Sequence, residues 1–165
     1  MFQTAALDPS LPKPELYRDL LDQARGLFAG ERDAIANAAN LSALIFHGLP
    51  DLNWAGFYLL RHEGELVLGP FQGKPACIRI PVGRGVCGTA AARRASVLVP
   101  DVHAFPGHIA CDAASRSELV VPLLRDGQVW GVLDLDSPLP GRFDAEDQAG
   151  IEALAALWVT ASDWP

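Results

Sequence analysis

Residues 108–136, HIACDAASRSELVVPLLRDGQVWGVLDLD, constrain the fold of this chain more than any other stretch. Two apolar runs, 118–124 and 129–136, flank an Asp126-Gly127 pair, a strong short-range signal for a β-hairpin. The hairpin carries unusual cargo. A cysteine, Cys111, precedes it in a polar loop. Glu118 opens its first strand, and Asp134 and Asp136 close its second. Asp134 and Asp136 are two apart, so they share one face, with Leu133 and Leu135 on the other. The position of Glu118 depends on the turn. A two-residue loop sets it opposite Leu135. A three-residue loop with Gly127 left-handed sets it opposite Asp134, and this is the expected register because it suits the glycine and gathers the acids. Like charges directly opposite repel. Such a cluster therefore calls for a cation, such as an amine ligand, or for a bound proton that it can donate to an oxygen.

The chain has three cysteines, Cys77, Cys87 and Cys111. The number is odd, and 165 residues bury a core without needing covalent staples. No secretory signal pattern opens the sequence, so a reducing, cytoplasmic setting is expected. Cys111 has polar neighbours, and Arg116 could favour its thiolate. Cys77 reads as half-buried on a strand. Cys87 falls in the first turn of a short helix, a position that lowers a thiol pKa if the sulfur is partly exposed. Zinc on the three cysteines with His103 or His108 would draw its ligands from a strand, a helix start and a distant loop, so no metal is expected. His103 and His108 are read as loop residues without catalytic duty. The net charge of −7 argues against a nucleic-acid or anionic-membrane surface. No apolar run is long enough to cross a bilayer.

The remaining sequence supplies a frame. Residues 1–13, rich in proline, read as an extended arm before one domain spanning 14–165. Helices are expected over 14–29 and over 32–46, the second with Ile35, Ala38, Ala39, Leu44 and Ile45 on its apolar side. Residues 53–60, NWAGFYLL, alternate as a strand and place Trp54 and Tyr58 on one face. These aromatics could wall a site that receives a methyl group and donates one hydroxyl. Strands follow at 65–70, 77–82 and 97–99. Residues 83–88 match G-x-G-x-x-G, with Asp101 at a plausible distance for a dinucleotide fold. The following helix is barely two turns and no strand–helix alternation continues, so a glycine bend is the better reading. The loop 101–117 is long enough to be functional. A last helix spans 144–158. The expected class is α+β: a central antiparallel sheet of about six strands with N- and C-terminal helices packed on one side.

GVCGTAA around Cys87, the cysteine spacing of ten and then twenty-four residues, HIACDAASRSELVVP, GVLDLDS and NWAGFYLL together resemble the free methionine-(R)-sulfoxide reductases, a catalytic branch of the GAF domain fold. The resemblance runs from Asn53 to the final helix. It implies reduction of free methionine (R)-sulfoxide, with Cys111 as nucleophile and either Cys77 or Cys87 resolving the sulfenic acid, Cys77 first. Glu118, Asp134 and Asp136 would hold the substrate ammonium and polarise the sulfoxide oxygen, in an undivided assignment, while Trp54 and Tyr58 would line the methyl end. It further implies thioredoxin as external reductant, no bound cofactor and, from the terminal helices, a homodimer. The competing reading is a non-catalytic GAF module that senses a small ligand or nucleotide; it has no use for three cysteines.

Overall fold

A computed structural model describes residues 6–62, 64–109 and 111–164, with the backbone alone of His62. Its elements are α1 (Lys13–Leu27), α2 (Ala34–Gly48), β1 (Trp54–His62), β2 (Glu65–Gly73), β3 (Arg79–Pro81), α3 (Gly85–Arg93), β4 (Val97–Val99), a 3-10 turn (Val102–Ala104), β5 (Ser117–Arg125), β6 (Gln128–Ser137) and α4 (Ala145–Ala161). The strands form one sheet in the order β3-β2-β1-β6-β5-β4, antiparallel throughout, as the α+β reading expects.

Alternation along the strands builds two cores. Ala55, Phe57, Leu59, Leu119, Val121, Leu123, Leu133 and Leu135 face α1, α2 and α4. Trp54, Tyr58, Val120 and Val132 face the other way and meet α3 and the long loop. Helices on one side leave the opposite side, under α3, as the place for a site.

Helix α2 forms where expected, but its buried stripe is differently phased. Asp33 caps it by accepting from the Ala36 amide at 2.8 Å. Ala34, Asn37, Ala38, Leu41, Leu44 and Ile45 point inward, and Ile35 is 42 % exposed, with Ala39 also outside. The apolar count misled because a polar residue occupies the core face: buried Asn37 donates to the Glu31 carbonyl at 3.3 Å and to Ser162 Oγ at 3.1 Å. Residues 1–5 of the expected arm lie outside the described residues. Asp8 to Leu11 form a turn, and Leu7 packs against the helix-side core.

The third strand is shorter than expected. β3 begins at Arg79, leaving Cys77 on the linker that precedes it. The last ladder bond to β2 is from the Leu68 amide to the Ile78 carbonyl, the next β2 donor position being Pro70, which has no N–H, and the Cys77 carbonyl instead accepts from the Tyr58 hydroxyl at 2.9 Å. The glycine bend is a bend: Gly83 and Gly85 have φ of +87° and +61°, and a Cβ on Gly88 would sit 2.3 Å from the Pro81 carbonyl oxygen. The third glycine thus seats α3 on β3, with no dinucleotide cradle.

The final hairpin corrects the expected register. Its turn has two residues, Asp126 and Gly127, both left-handed at φ +51° and +76°, and Arg125 pairs with Gln128. Two-residue geometry alone would have put Glu118 opposite Leu135. A bulge prevents this: Leu124 pairs with Val129 but Leu123 pairs with Gly131, so Trp130 is the extra residue. Glu118 consequently lies opposite Asp136, and Asp134 lies opposite Val120. The acids gather on one face, one pair out of the expected step.

Candidate active site

Three strands set the floor of the pocket beneath α3. Trp54 pairs with Asp136, Gly56 with Asp134 and Glu118 with Asp136, so β1, β5 and β6 present these side chains side by side. Glu118 and Asp134 are only 6 % and 5 % exposed, and Asp136 is half-buried. From above, α3 lowers Cys87, whose thiol donates to Asp134 Oδ2 at 3.3 Å, with Glu118 Oε1 3.9 Å away. Asp134 Oδ1 is buried and accepts from no donor among the described residues, and the Asp134 and Glu118 carboxyls lie within hydrogen-bond reach of each other.

Burial, reinforced by neighbouring acids, pushes all three carboxyls well above the ordinary carboxylate range. The neighbour of greatest effect is Asp136 for Glu118, Glu118 for Asp134 and Asp134 for Asp136. The Cys87 thiol is also pushed up, by burial and then by Asp134 and Glu118. Its place in the first turn of α3 could have lowered that pKa, but the sulfur is buried among acids and the lowering does not occur. The floor is therefore a reservoir of protons. It is also the group of potential metal ligands among the described residues, with one atom each from Cys87, Glu118 and Asp134 within 4.8 Å of one another. The three cysteines do not converge on an ion: two are bonded together and the third stands apart.

Trp54 and Tyr58 form the wall, as the alternation of β1 predicts. Trp54 stacks between Phe71 and Tyr58, with ring centroids 5.2 and 5.8 Å away. Gly56 makes room, since a Cβ there would lie 2.3 Å from Phe71 Cβ and 2.8 Å from the Trp54 ring. The polar ends of both rings are already engaged. Trp54 Nε1 donates to the Lys74 carbonyl at 3.2 Å and the Tyr58 hydroxyl to that of Cys77 at 2.9 Å, so the expected free hydroxyl is committed to the 74–78 linker.

That linker carries Cys77, which is disulfide-bonded to Cys111 with Cα atoms 5.5 Å apart. The bond ties the linker to the loop 101–117. Asn53 holds the same loop, donating to Asp112 Oδ2 at 3.2 Å and to Ser115 Oγ at 3.1 Å. Ser115 in turn hydrogen-bonds Asp136. The Arg116 side chain is exposed and does not line the pocket, so it supports no thiolate there. His103 is exposed, but His108 is not idle: its Nε2 lies 3.6 Å from Glu118 Oε2, and burial lowers its pKa. The sequence reading missed His108, Asn53 and Ser115. The only signal for them was their position beside Cys111 and Trp54.

A GAF domain family model matches residues 14–161. The free methionine-R-sulfoxide reductase of Escherichia coli is 58 % identical over 144 residues, 87 % of this chain and 87 % of that protein. The chain belongs to the free methionine-R-sulfoxide reductase family of GAF domains. A yeast member, from Saccharomyces cerevisiae, is 45 % identical over 155 residues, 90 % of this chain and 86 % of its own. A solved structure of the family, the Neisseria meningitidis reductase in complex with its substrate, superposes with a TM-score of 0.90 at 45 % identity, covering 96 % of this chain and 95 % of that one. Within this GAF fold, the pocket offers a redox-capable sulfur at its wall, proton donors on its floor and an aromatic face beside them. That set suits a small ligand with a cationic end, a proton-accepting oxygen and an apolar end.

Proposed function

We propose that this protein reduces free methionine (R)-sulfoxide to methionine, using its own thiols as the immediate electron source. The observation that carries the reading is Cys111, on the wall of an acid-floored pocket and bonded to Cys77. The relatives named above add the substrate. With the disulfide open, the Cys111 thiolate attacks the sulfoxide sulfur, and a floor carboxyl gives a proton to the oxygen. Methionine leaves, reduced by two electrons, and Cys111 remains as the sulfenic acid. The Cys77 thiol then attacks that sulfur, the S–O bond breaks, water departs and the disulfide forms. A thioredoxin-type dithiol reopens it, and no bound cofactor enters the cycle.

Glu118, Asp134 and Asp136 share two duties in this scheme. Protonated, they give a proton to the sulfoxide oxygen. Ionised against a bound ammonium, they hold the amino acid. The orphaned Asp134 Oδ1 is the acceptor best placed to gain a partner when substrate enters. Trp54 and Tyr58 receive the methyl end. Pro75 and Ala76 from one side and His108, Ile109, Cys111 and Asp112 from the other line the same pocket, a partial enclosure suited to a free amino acid.

The deciding experiment follows NADPH consumption with thioredoxin, thioredoxin reductase and free methionine sulfoxide. Consumption of the R epimer alone is expected. No turnover with the reduced protein and active partners overturns the proposal.

A further inference from the structure

Cys77 and Cys111 share one bond but face different surroundings. Cys111 lines the pocket; Cys77 does not. Cys77 sits on a linker whose backbone is pinned at three points: the Lys74 and Cys77 carbonyls accept from Trp54 and Tyr58, and the Ile78 carbonyl accepts from the Leu68 amide at 2.9 Å. Lys74, Pro75 and Ala76 of this linker line the pocket and Cys77 packs against the core beside it, but Ile78 is left 68 % exposed, the most exposed large apolar side chain among the described residues. Pro75 on the same linker is exposed as well, and Ile109, two residues from Cys111, is 36 % exposed. Apolar side chains thus flank the disulfide on both of its strands. Although the protein carries a net charge of −7, residues 74–84 themselves hold three cations, Lys74, Arg79 and Arg84, all exposed, and no acid. Arg79 is neutralised by Glu65 at 2.5 Å, and Lys74 lies 3.9 Å from Asp112, which leaves Arg84 as the rim charge without an ion pair among the described residues.

We propose that this face, centred on Ile78 with Pro75 and Ile109 beside it and Arg84 at its rim, docks an acidic dithiol protein whose thiolate attacks the sulfur of Cys77, not that of Cys111. The proposal rests on the reductase reading only in needing the disulfide reopened at each turnover. Attack at Cys77 forms a mixed disulfide and expels Cys111 as a thiolate directly into the pocket, where the next substrate binds. The partner's second thiol then attacks the mixed disulfide, Cys77 leaves as a thiolate and takes a proton, and the partner departs oxidised by two electrons. Cys111 is one of the pocket-lining residues, so a partner attacking its sulfur would have to approach across the pocket. The apolar centre supplies contact area, and the rim charge supplies orientation and rate.

Two measurements test this without any sulfoxide present. A thioredoxin variant with its second active-site cysteine replaced by serine is mixed with the oxidised protein, quenched with iodoacetamide and mapped by mass spectrometry. Linkage at Cys77 with alkylation at Cys111 is expected; linkage at Cys111 overturns the proposal. Stopped-flow reduction of the disulfide is then compared for the native protein and Ile78→Asp. Thioredoxin should act about tenfold or more slowly on the variant, the loss typical of an interface anchor, while dithiothreitol acts equally on both. An unchanged thioredoxin rate, or an equal slowing with dithiothreitol, overturns it. A protein that shows these rates yet never turns over methionine sulfoxide keeps the docking face and loses the reductase reading.

Discussion

At the scale of single residues, the three cysteines divide by environment. Cys111→Ser removes the proposed nucleophile and should abolish methionine formation even in a single turnover. Cys77→Ser should release about one methionine per chain and then stall as the sulfenic acid, because no thiol completes the disulfide. Quantifying methionine from stoichiometric enzyme separates the two, and full cycling by Cys77→Ser with thioredoxin would remove Cys77 from the resolving role. Cys87 is buried, unpaired and hydrogen-bonded to Asp134, an arrangement unlike that of a reacting thiol. Cys87→Ser should keep the Cys77–Cys111 bond and cycle within a few-fold of the native rate, since a hydroxyl donates to the same carboxylate. A thiol count on the denatured oxidised protein should fall from one to none. Loss of cycling in a folded Cys87→Ser would give that sulfur a redox part. The candidate-site residues were legible because acids are rare on buried strands: three acids in one hairpin, with a cysteine in the loop before it, stand out. His108 was not legible, because a histidine in a long loop carries no positional signal until the loop is folded over Glu118.

At the scale of elements, the last hairpin shows what local sequence can and cannot specify. Asp126-Gly127 correctly marked the turn, and the apolar runs correctly marked both strands. The register failed by one residue at the turn, which has two residues and not the expected three, and by one more at the Trp130 bulge, the reason for which lies on a third strand. Gly131 pairs with Leu59, and a Cβ on it would lie 2.2 Å from the Tyr58 carbonyl oxygen. Gly131→Ala must therefore push β6 away from β1. Overpacking of this kind costs about 1–3 kcal/mol, read as a lower urea midpoint. The same displacement shifts Asp134 and Asp136 relative to Trp54, so turnover should fall more than the folded fraction does. A variant as stable and active as the native protein would show that the bulge does not set the site. The strand around Cys77 failed because its partner strand runs out of donors: after Leu68, which donates to the Ile78 carbonyl, the next β2 position due to donate is Pro70, which has no N–H.

At the scale of the whole molecule, two buried acid sites are treated in opposite ways. Asp147 of α4 is buried but fully partnered. It accepts from Tyr17 at 2.8 Å, from Lys13 at 2.6 Å and from Arg142 at 3.1 Å, and its Oδ2 also accepts from the Asp144 amide at 2.9 Å, joining α1, α4 and the segment after β6. Among the described residues, Glu118, Asp134 and Asp136 have no cation of comparable reach, since the His108 pKa is itself lowered by burial. Their folded-state pKa values lie above the unfolded ones, so the native state binds more protons than the unfolded chain across the intervening range. Stability from this source is complete below the unfolded carboxyl values, near pH 4, and is lost as pH rises toward the raised folded values. The cluster therefore destabilises the protein at neutral and higher pH. Asp134→Asn removes one of the like charges while preserving shape. It should raise the melting temperature at pH 8 by about 2–4 °C for each kcal/mol relieved, give little gain at pH 5 and cost turnover at both. Melting curves of the native and Asp134→Asn proteins between pH 5 and 8 check the sign. A variant that loses stability at pH 8 would mean that Asp134 is held there by a partner that compensates its charge, and the cradle would then be a structural cluster like that of Asp147.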